Sequence, residues 1–405
     1  VITGMPDASL KLHNKMYLEE FDVRTFFTDL TFSHSHTLNQ NETQNIIKRD
    51  FGETLVRNNL CWFCGFARGF SGRRSIGWYS ENSLIKLLNQ CSKIGDTVQQ
   101  YSNKSNAEVA LFVNARDIAS MDVMDAPGTL SNTQYNTVYQ QLRKIAVPYD
   151  CYLLDDFSEK LLAQYKVVIM LNAFYLSSDD RVRIRKTLEA QGKTVVWLYA
   201  PGYSDPQKGL SLDNILELTG IKVGMTPEFR EKLEVEVRGD NAYASGISGH
   251  RFGPSRYAHD RRTQQIGPVF HVEDLDAQAF GFYVHNGKPA VAVKKIGNMT
   301  SIYCVAPIIS GELLKNIFSE SGVHVYTDSP VYLNASSRFI AVHSRAAVKS
   351  NISMLEKSWV LDLFNDTIVS RNQSSFPLEM AAGTSNLYFL GTEAEVKRIS
   401  KELQK

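Results

Sequence analysis

The first hundred residues alternate short apolar runs with amphipathic stretches. Residues 15–21 predict a strand, 42–56 a helix, and the apolar run 60–66 a second strand. From Ser80 onward Leu84, Leu87, Leu88, Cys91, Ile94 and Val98 recur every three to four positions, which is the single buried stripe of a long helix. Ser80 with Ser83 offers a weak N-terminal cap. A β-α-β-α piece cannot cover both faces of a parallel sheet by itself. Residues 1–100 are therefore expected to form the last two units of a (β/α)8 barrel.

The polar, aperiodic stretch 101–106 predicts a linker. Strands are then expected at 109–113, 152–154, 167–171 and 194–199, with helices at 134–145, 158–164, 178–191 and 211–219. Residues 168–171 are apolar at every position, as in a strand buried on both faces. The pattern predicts a doubly wound α/β domain over 107–325, flavodoxin-like or amidotransferase-like. Residues 226–300 interrupt it as an insertion, with strands expected at 234–237, 280–284 and 290–294. A strand at 301–305 and a helix at 311–321 restore it. Beyond residue 328 the spacing of 339–343, 359–363, 367–370 and 387–390 predicts a small β-sandwich over 328–405. Thr392 followed by Glu395 reads as a capping box, opening a last helix striped by Val396, Ile399 and Leu403.

Charge and composition remove several functions. Lys+Arg number 44 against 43 Asp+Glu, a net charge of +1, so no basic field exists to hold nucleic acid or an anionic membrane. No run approaches about 18 apolar residues, so no membrane span is expected. The opening Val1-Ile2-Thr3-Gly4 has no Met and no leader pattern, and the chain is expected to begin within a domain. The five cysteines are odd in number and scattered, unlike a disulfide framework. Cys61 and Cys64, three apart on a strand, point to opposite faces and read as packing residues, not as metal ligands. His34 and His36 have no third ligand nearby, so hydrogen bonding to substrate or loop packing is expected there rather than metal. No dinucleotide or Walker string occurs, and no cofactor is expected. Where an amidotransferase needs a Cys on a sharp turn after a strand, this chain has Tyr199-Ala200-Pro201-Gly202-Tyr203. The middle domain is thus expected to be an association module without chemistry of its own.

The string Ser9-Leu10-Lys11-Leu12-His13-Asn14-Lys15-Met16-Tyr17-Leu18-Glu19-Glu20-Phe21-Asp22-Val23-Arg24-Thr25 resembles a strand-end glutamate segment of glycoside hydrolase family 42 β-galactosidases. Leu60-Cys61-Trp62-Phe63-Cys64-Gly65 and Gly77-Trp78-Tyr79 look like the closing barrel strand and its loop. Residues 165–173 and 189–196 resemble that family's trimerisation domain, and 339–343 and 360–364 its C-terminal β domain. Phe21, Phe26 and Cys64 depart from the residues common at those places. The resemblance implies a retaining hydrolase of β-glycosides, β-galactosides among them, that assembles as a homo-oligomer, with a trimer as the expectation. Retaining glycosidases use two carboxyl groups, a nucleophile and an acid/base. One strand and one helix follow the helix after Glu20, which puts Glu20 on strand seven, the nucleophile's strand in such barrels. The strand-four acid/base lies outside this sequence. Trp62 would be the sugar platform, because a pyranose packs its apolar face on an indole. Trp78, His34 and His36 are further substrate-binding candidates. Asp22 could orient the site, and Arg24 could hold Glu20 ionised or pair with it as a structural carboxylate. A catalytically inactive sugar-binding or assembly protein derived from such a hydrolase is the alternative.

Overall fold

The computed structural model describes residues 6–26, 37–65, 77–120, 130, 140–230, 233–253 and 266–405. A short helix α1 (Asp7–Leu12) leads into strand β1 (Leu18–Phe21). Helix α2 (Gln40–Arg57), strand β2 (Leu60–Phe63) and helix α3 (Asn82–Val98) follow. β1 and β2 pair in parallel, with Leu18 opposite Leu60 and Glu20 opposite Trp62. Asn39 caps α2 by accepting from the Glu42 amide at 2.9 Å, and the Glu42 carboxylate accepts in return from the Leu38 amide at 2.7 Å. Asn58 ends α2 in the left-handed conformation. The cap of α3 is Glu81, whose carboxylate accepts from the amides of Ser83 and Leu84. A carboxylate at a helix N-terminus also meets the positive end of the helix dipole, which explains why it displaces the expected Ser80.

The middle of the chain builds a nine-stranded sheet. Five strands are parallel, in the spatial order Met299–Cys304, Thr194–Leu198, Val167–Met170, Val109–Val113, Tyr149–Leu153. Val167–Met170 is buried at every position, as its unbroken apolar run requires. The expected insertion is not a separate body. Its strands Pro289–Ile296, Gln278–Tyr283, Val235–Val237 and Arg251–Phe252 extend the same sheet in antiparallel pairing. A two-stranded ribbon, Val223–Thr226 with Val269–Val272, is not hydrogen-bonded into this sheet but packs into the same core. Much of the helix expected at 134–145 lies outside the described residues.

The expected β-sandwich is one five-stranded antiparallel sheet. It bends over where its longest hairpin, Val348–Asp362 with Thr367–Met380, has register shifts between Ser353 and Leu361. Past those shifts Ile352, Phe376 and Leu378 pack back onto Ile340, Val342 and Tyr388, with the Phe376 and Tyr388 rings 4.9 Å apart. The capping box at Thr392 is formed as expected, with Glu395 returning a bond to the Thr392 amide.

The opposite face of this sheet joins the N-terminal unit. Phe339, Ala341, Leu387 and Phe389 share one buried cluster with Phe21, Ile47, Phe51, Leu84 and Ile94, completed by Val396 and Ile399 of the last helix. Gly52 lets α2 approach closely, since a Cβ there would lie 3.1 Å from that of Ala341. Polar bonds pin the contact: Asn45 Oδ1 accepts from the Ser385 amide at 2.8 Å, and Gln90 donates to the Phe364 carbonyl at 2.8 Å.

Candidate active site

The two faces of β1 and β2 have opposite environments. Alternation along β1 puts Glu19 and Phe21 on one side and Leu18 and Glu20 on the other. The first pair is buried against α2, and the second is exposed. β2 alternates in the same way, and Leu60 and Trp62 are about half exposed, at 48% and 46%. Register places the Glu20 and Trp62 backbones side by side, so a carboxylate and an indole stand next to each other on the open face.

The ladder continues past β2, where the Cys64 amide donates to the Phe21 carbonyl at 3.1 Å. Cys64 therefore shares the Glu20 side of the ladder. The neighbouring Glu20 carboxylate, then burial and the negative charge of Asp22, push the thiol up to about 11. Asp22 follows on the same face and pairs with Arg24 at 3.3 Å. Cys61 faces the helix layer, where burial raises its pKa. The two cysteines thus diverge, as their spacing requires.

Glu19 has the reverse environment. Burial, followed by the carboxylates of Glu53 and Asp50 on α2, pushes it up to about 8. Close by, Arg57 meets Asp7 at 3.4 Å and Glu53 at 3.3 Å, and its guanidinium lies over the Tyr149 ring.

The remaining candidates separate. Trp78 is only 8% exposed, and its carbonyl accepts from the Thr25 hydroxyl, so its ring has little face to offer a sugar. His34 and His36 lie outside the described residues. No group of three metal-ligating side chains occurs among the described residues. A cleft of about 290 Å³ between α1, α2 and the Tyr149–Leu153 strand is lined by Asp7, Lys11, Arg57 and Asp150, and none of the open-face residues reaches it. Sequence reasoning missed that Cys64 continues the ladder on the Glu20 side, although the parity of positions 62 and 64 would have shown it. It also missed the carboxylate pairing behind the strand, which needs the α2 register to be seen.

The end of strand Thr194–Leu198 takes the sharp turn that a nucleophile elbow uses. Tyr199 has a φ of +62°, an uncommon left-handed conformation for a bulky residue. Its ring is buried between Phe174 and Phe270, and its hydroxyl donates to the Pro268 carbonyl at 2.9 Å. Aromatic packing fills the space beside this turn.

No family model matches the chain, and no curated protein sequence does. Solved structures do. A β-galactosidase from Rahnella sp. R3 is 16% identical over 88% of this chain and 52% of its own, with a TM-score of 0.62. One from the haloarchaeon Halorubrum lacusprofundi is 13% identical over 96% and 55%, with a TM-score of 0.61. A GH42 β-galactosidase from G. stearothermophilus is 14% identical over 85% and 50%, with a TM-score of 0.58. This chain spans about half the length of each. At such identities the likeness is one of fold, and it is the likeness that the strings around Glu20 and Trp62 led one to expect.

Proposed function

We propose that this chain carries the nucleophile half of a retaining β-glycosidase site, with Glu20 as the nucleophile. The observation that carries the reading is the pairing of Glu20 with Trp62 on one exposed face, in a fold shared with β-galactosidases. β1 and β2 are taken as strands seven and eight of a (β/α)8 barrel, whose active site lies at the C-terminal ends of its strands. Glu20 attacks the anomeric carbon and displaces the aglycone oxygen. An acid/base carboxyl from strand four protonates that oxygen as it leaves. The same group then takes a proton from water, which hydrolyses the glycosyl ester and frees Glu20. The two carboxyl groups belong about 5–5.5 Å apart. Trp62 supplies the stacking face, and β-galactosides are the substrate class that the structural likeness favours. Asp22 and Arg24 frame the carboxylate, while His34 and His36 are proposed to bond sugar hydroxyls. The middle α/β domain serves assembly, as a homo-oligomer and by resemblance a trimer, which light scattering tests.

The deciding experiment uses this chain behind a complete barrel. A 2-deoxy-2-fluoro-β-galactoside should leave a covalent sugar on the peptide containing Glu20, and Glu20→Gln should abolish both adduct and turnover while the fold persists. Turnover retained in Glu20→Gln refutes the assignment. Galactose binding without turnover in the parent protein would instead favour a non-catalytic sugar binder.

A further inference from the structure

We propose that the cleft where the N-terminal unit, the middle domain and the C-terminal sheet meet is a second small-molecule site, for a neutral, hydroxyl-rich ligand about the size of one monosaccharide. The inference stands apart from the Glu20 reading, because the cleft lies at the other end of β1 and β2.

That placement follows from chain order. Lys11 and Leu12 end α1, ahead of β1, and Arg57 and Asn58 close α2, ahead of β2. The cleft therefore opens at the N-terminal ends of both strands, whereas Glu20 and Trp62 stand toward their C-terminal ends. Its other walls are Tyr149, Asp150 and Tyr152 of the outermost strand of the nine-stranded sheet, and Asn334 and Ala335 of the C-terminal sheet. A volume of about 290 Å³ is at the small end for ligand pockets, which limits the occupant to about one sugar ring.

The charges in these walls are already matched. Asp7 accepts from Lys11 at 3.1 Å, from Arg57 at 3.4 Å and from Asn59 at 3.2 Å. Asp150 accepts from the Tyr165 hydroxyl at 2.7 Å and from Ser105 at 2.8 Å. Two carboxylates thus stand with two cations, and an incoming ion would lose its hydration without gaining an uncompensated countercharge. What remains is neutral hydrogen-bonding capacity. Lys11 gives two of its three N–H bonds, to Asp7 and to the Arg57 carbonyl, and keeps one. Asn334 is 6% exposed, and its Nδ2 meets no acceptor among the described residues. A buried donor in that state gains by meeting a ligand oxygen. On the facing wall Tyr165 gives its proton to Asp150, so Tyr152 must donate to Tyr165 at 2.7 Å and keeps its own oxygen as an acceptor. Donors on one side and acceptors on the other suit hydroxyl groups, which do both. Leu12, Pro148 and Ala335 offer apolar surface to the C–H bonds of a sugar ring.

Calorimetry tests this on the chain as it stands, in a Trp62→Ala background so that the open face offers no stacking ring. Galactose should still bind. Asn334→Ala should weaken that binding about fivefold, the loss of one neutral hydrogen bond. Leu12→Trp should weaken it by about tenfold or more, because residue 12 is about half exposed and lines the cleft, so a larger ring there fills the space without disturbing a core. Circular dichroism melts confirm that each variant is folded, and Leu12→Trp decides the matter if Asn334→Ala is not. Glucuronate, which puts a carboxylate on a ring of the same size, should bind no better than galactose. No heat with galactose, glucose or sorbitol overturns the site. Galactose binding that neither cleft variant changes also overturns it, since the sugar then sits elsewhere. Glucuronate binding more tightly than galactose overturns the neutral-ligand assignment. None of these results bears on Glu20, which the fluorosugar adduct tests separately.

Discussion

Replacing Glu19 by Gln should leave stability nearly unchanged at pH 5 and raise it strongly at pH 9. Glu19 is 5% exposed and faces Glu53 and Asp50 across the β1–α2 contact. Burial and these carboxylates hold it up at about 8, against an ordinary 4.5. Between those values the folded chain keeps a proton that the unfolded chain has released. Stability contributed by this group therefore falls as pH rises through that window, and is fully lost above the folded pKa. At about 1.4 kcal/mol per unit the ceiling of the effect is roughly 4–5 kcal/mol, and relaxation around the charge should reduce it to about 2–3 kcal/mol. Glutamine mimics the protonated acid at every pH, so the difference between variant and parent should grow from near zero to that size. Urea titrations at half-unit steps from pH 5 to 9 would measure it, with Trp62 and Trp78 fluorescence reporting on this unit. A difference that does not vary with pH, or a variant less stable at pH 9, would refute the reasoning.

Other outcomes follow from single contacts. Arg181 is fully buried and bonds Asp205 and Glu217 at 2.8 Å each, so Arg181→Ala should cost about 1.5–3 kcal/mol by removing these charge-assisted bonds, while the Gln207 and Lys208 amides still hold Asp205; Trp197 fluorescence during denaturation reads that domain. Thr392→Ala removes the capping box of the last helix and should cost about 1 kcal/mol, seen as a lower melting midpoint with the native circular dichroism retained. Gly52→Val should destabilise by about 1–3 kcal/mol, because its side chain meets Ala341 and Leu387 across a tight contact; equal stability would mean the two layers can part without cost. Trp62→Ala should leave the fold intact, since the ring is about half exposed; on the proposed glycosidase reading it should also weaken galactose binding, measured by calorimetry with this chain behind the complete barrel.

Local pattern carried far in this molecule. The stripe Leu84, Leu87, Cys91, Ile94 and Val98 is buried along α3, and the capping box at Thr392 formed where its spacing placed it. Period-two alternation around Glu20 was enough to separate its environment from that of Glu19. Long-range pairing was harder to read. The strands of 226–300 gave no sign that they extend the main sheet, because a strand's own residues do not name its neighbour. The single bent sheet at the C-terminus was misread as a sandwich for the same reason: register shifts near Ser353, not a second set of strands, turn the layer over. Trp78 illustrates the limit for site residues, since a loop tryptophan reads the same whether it is open or, as here, 8% exposed.

The core that joins α2 and α3 to Phe339, Leu387 and Ile399 has a consequence for biogenesis. On a ribosome, the helices behind the Glu20 strand are made some 250 residues before the sheet that covers them. They must wait with an apolar flank bare while the whole middle domain folds between the two halves. Premature termination before residue 339 would leave that flank permanently uncovered. Damage at the far C-terminus would thus be felt at α3, the helix that the last helix packs against.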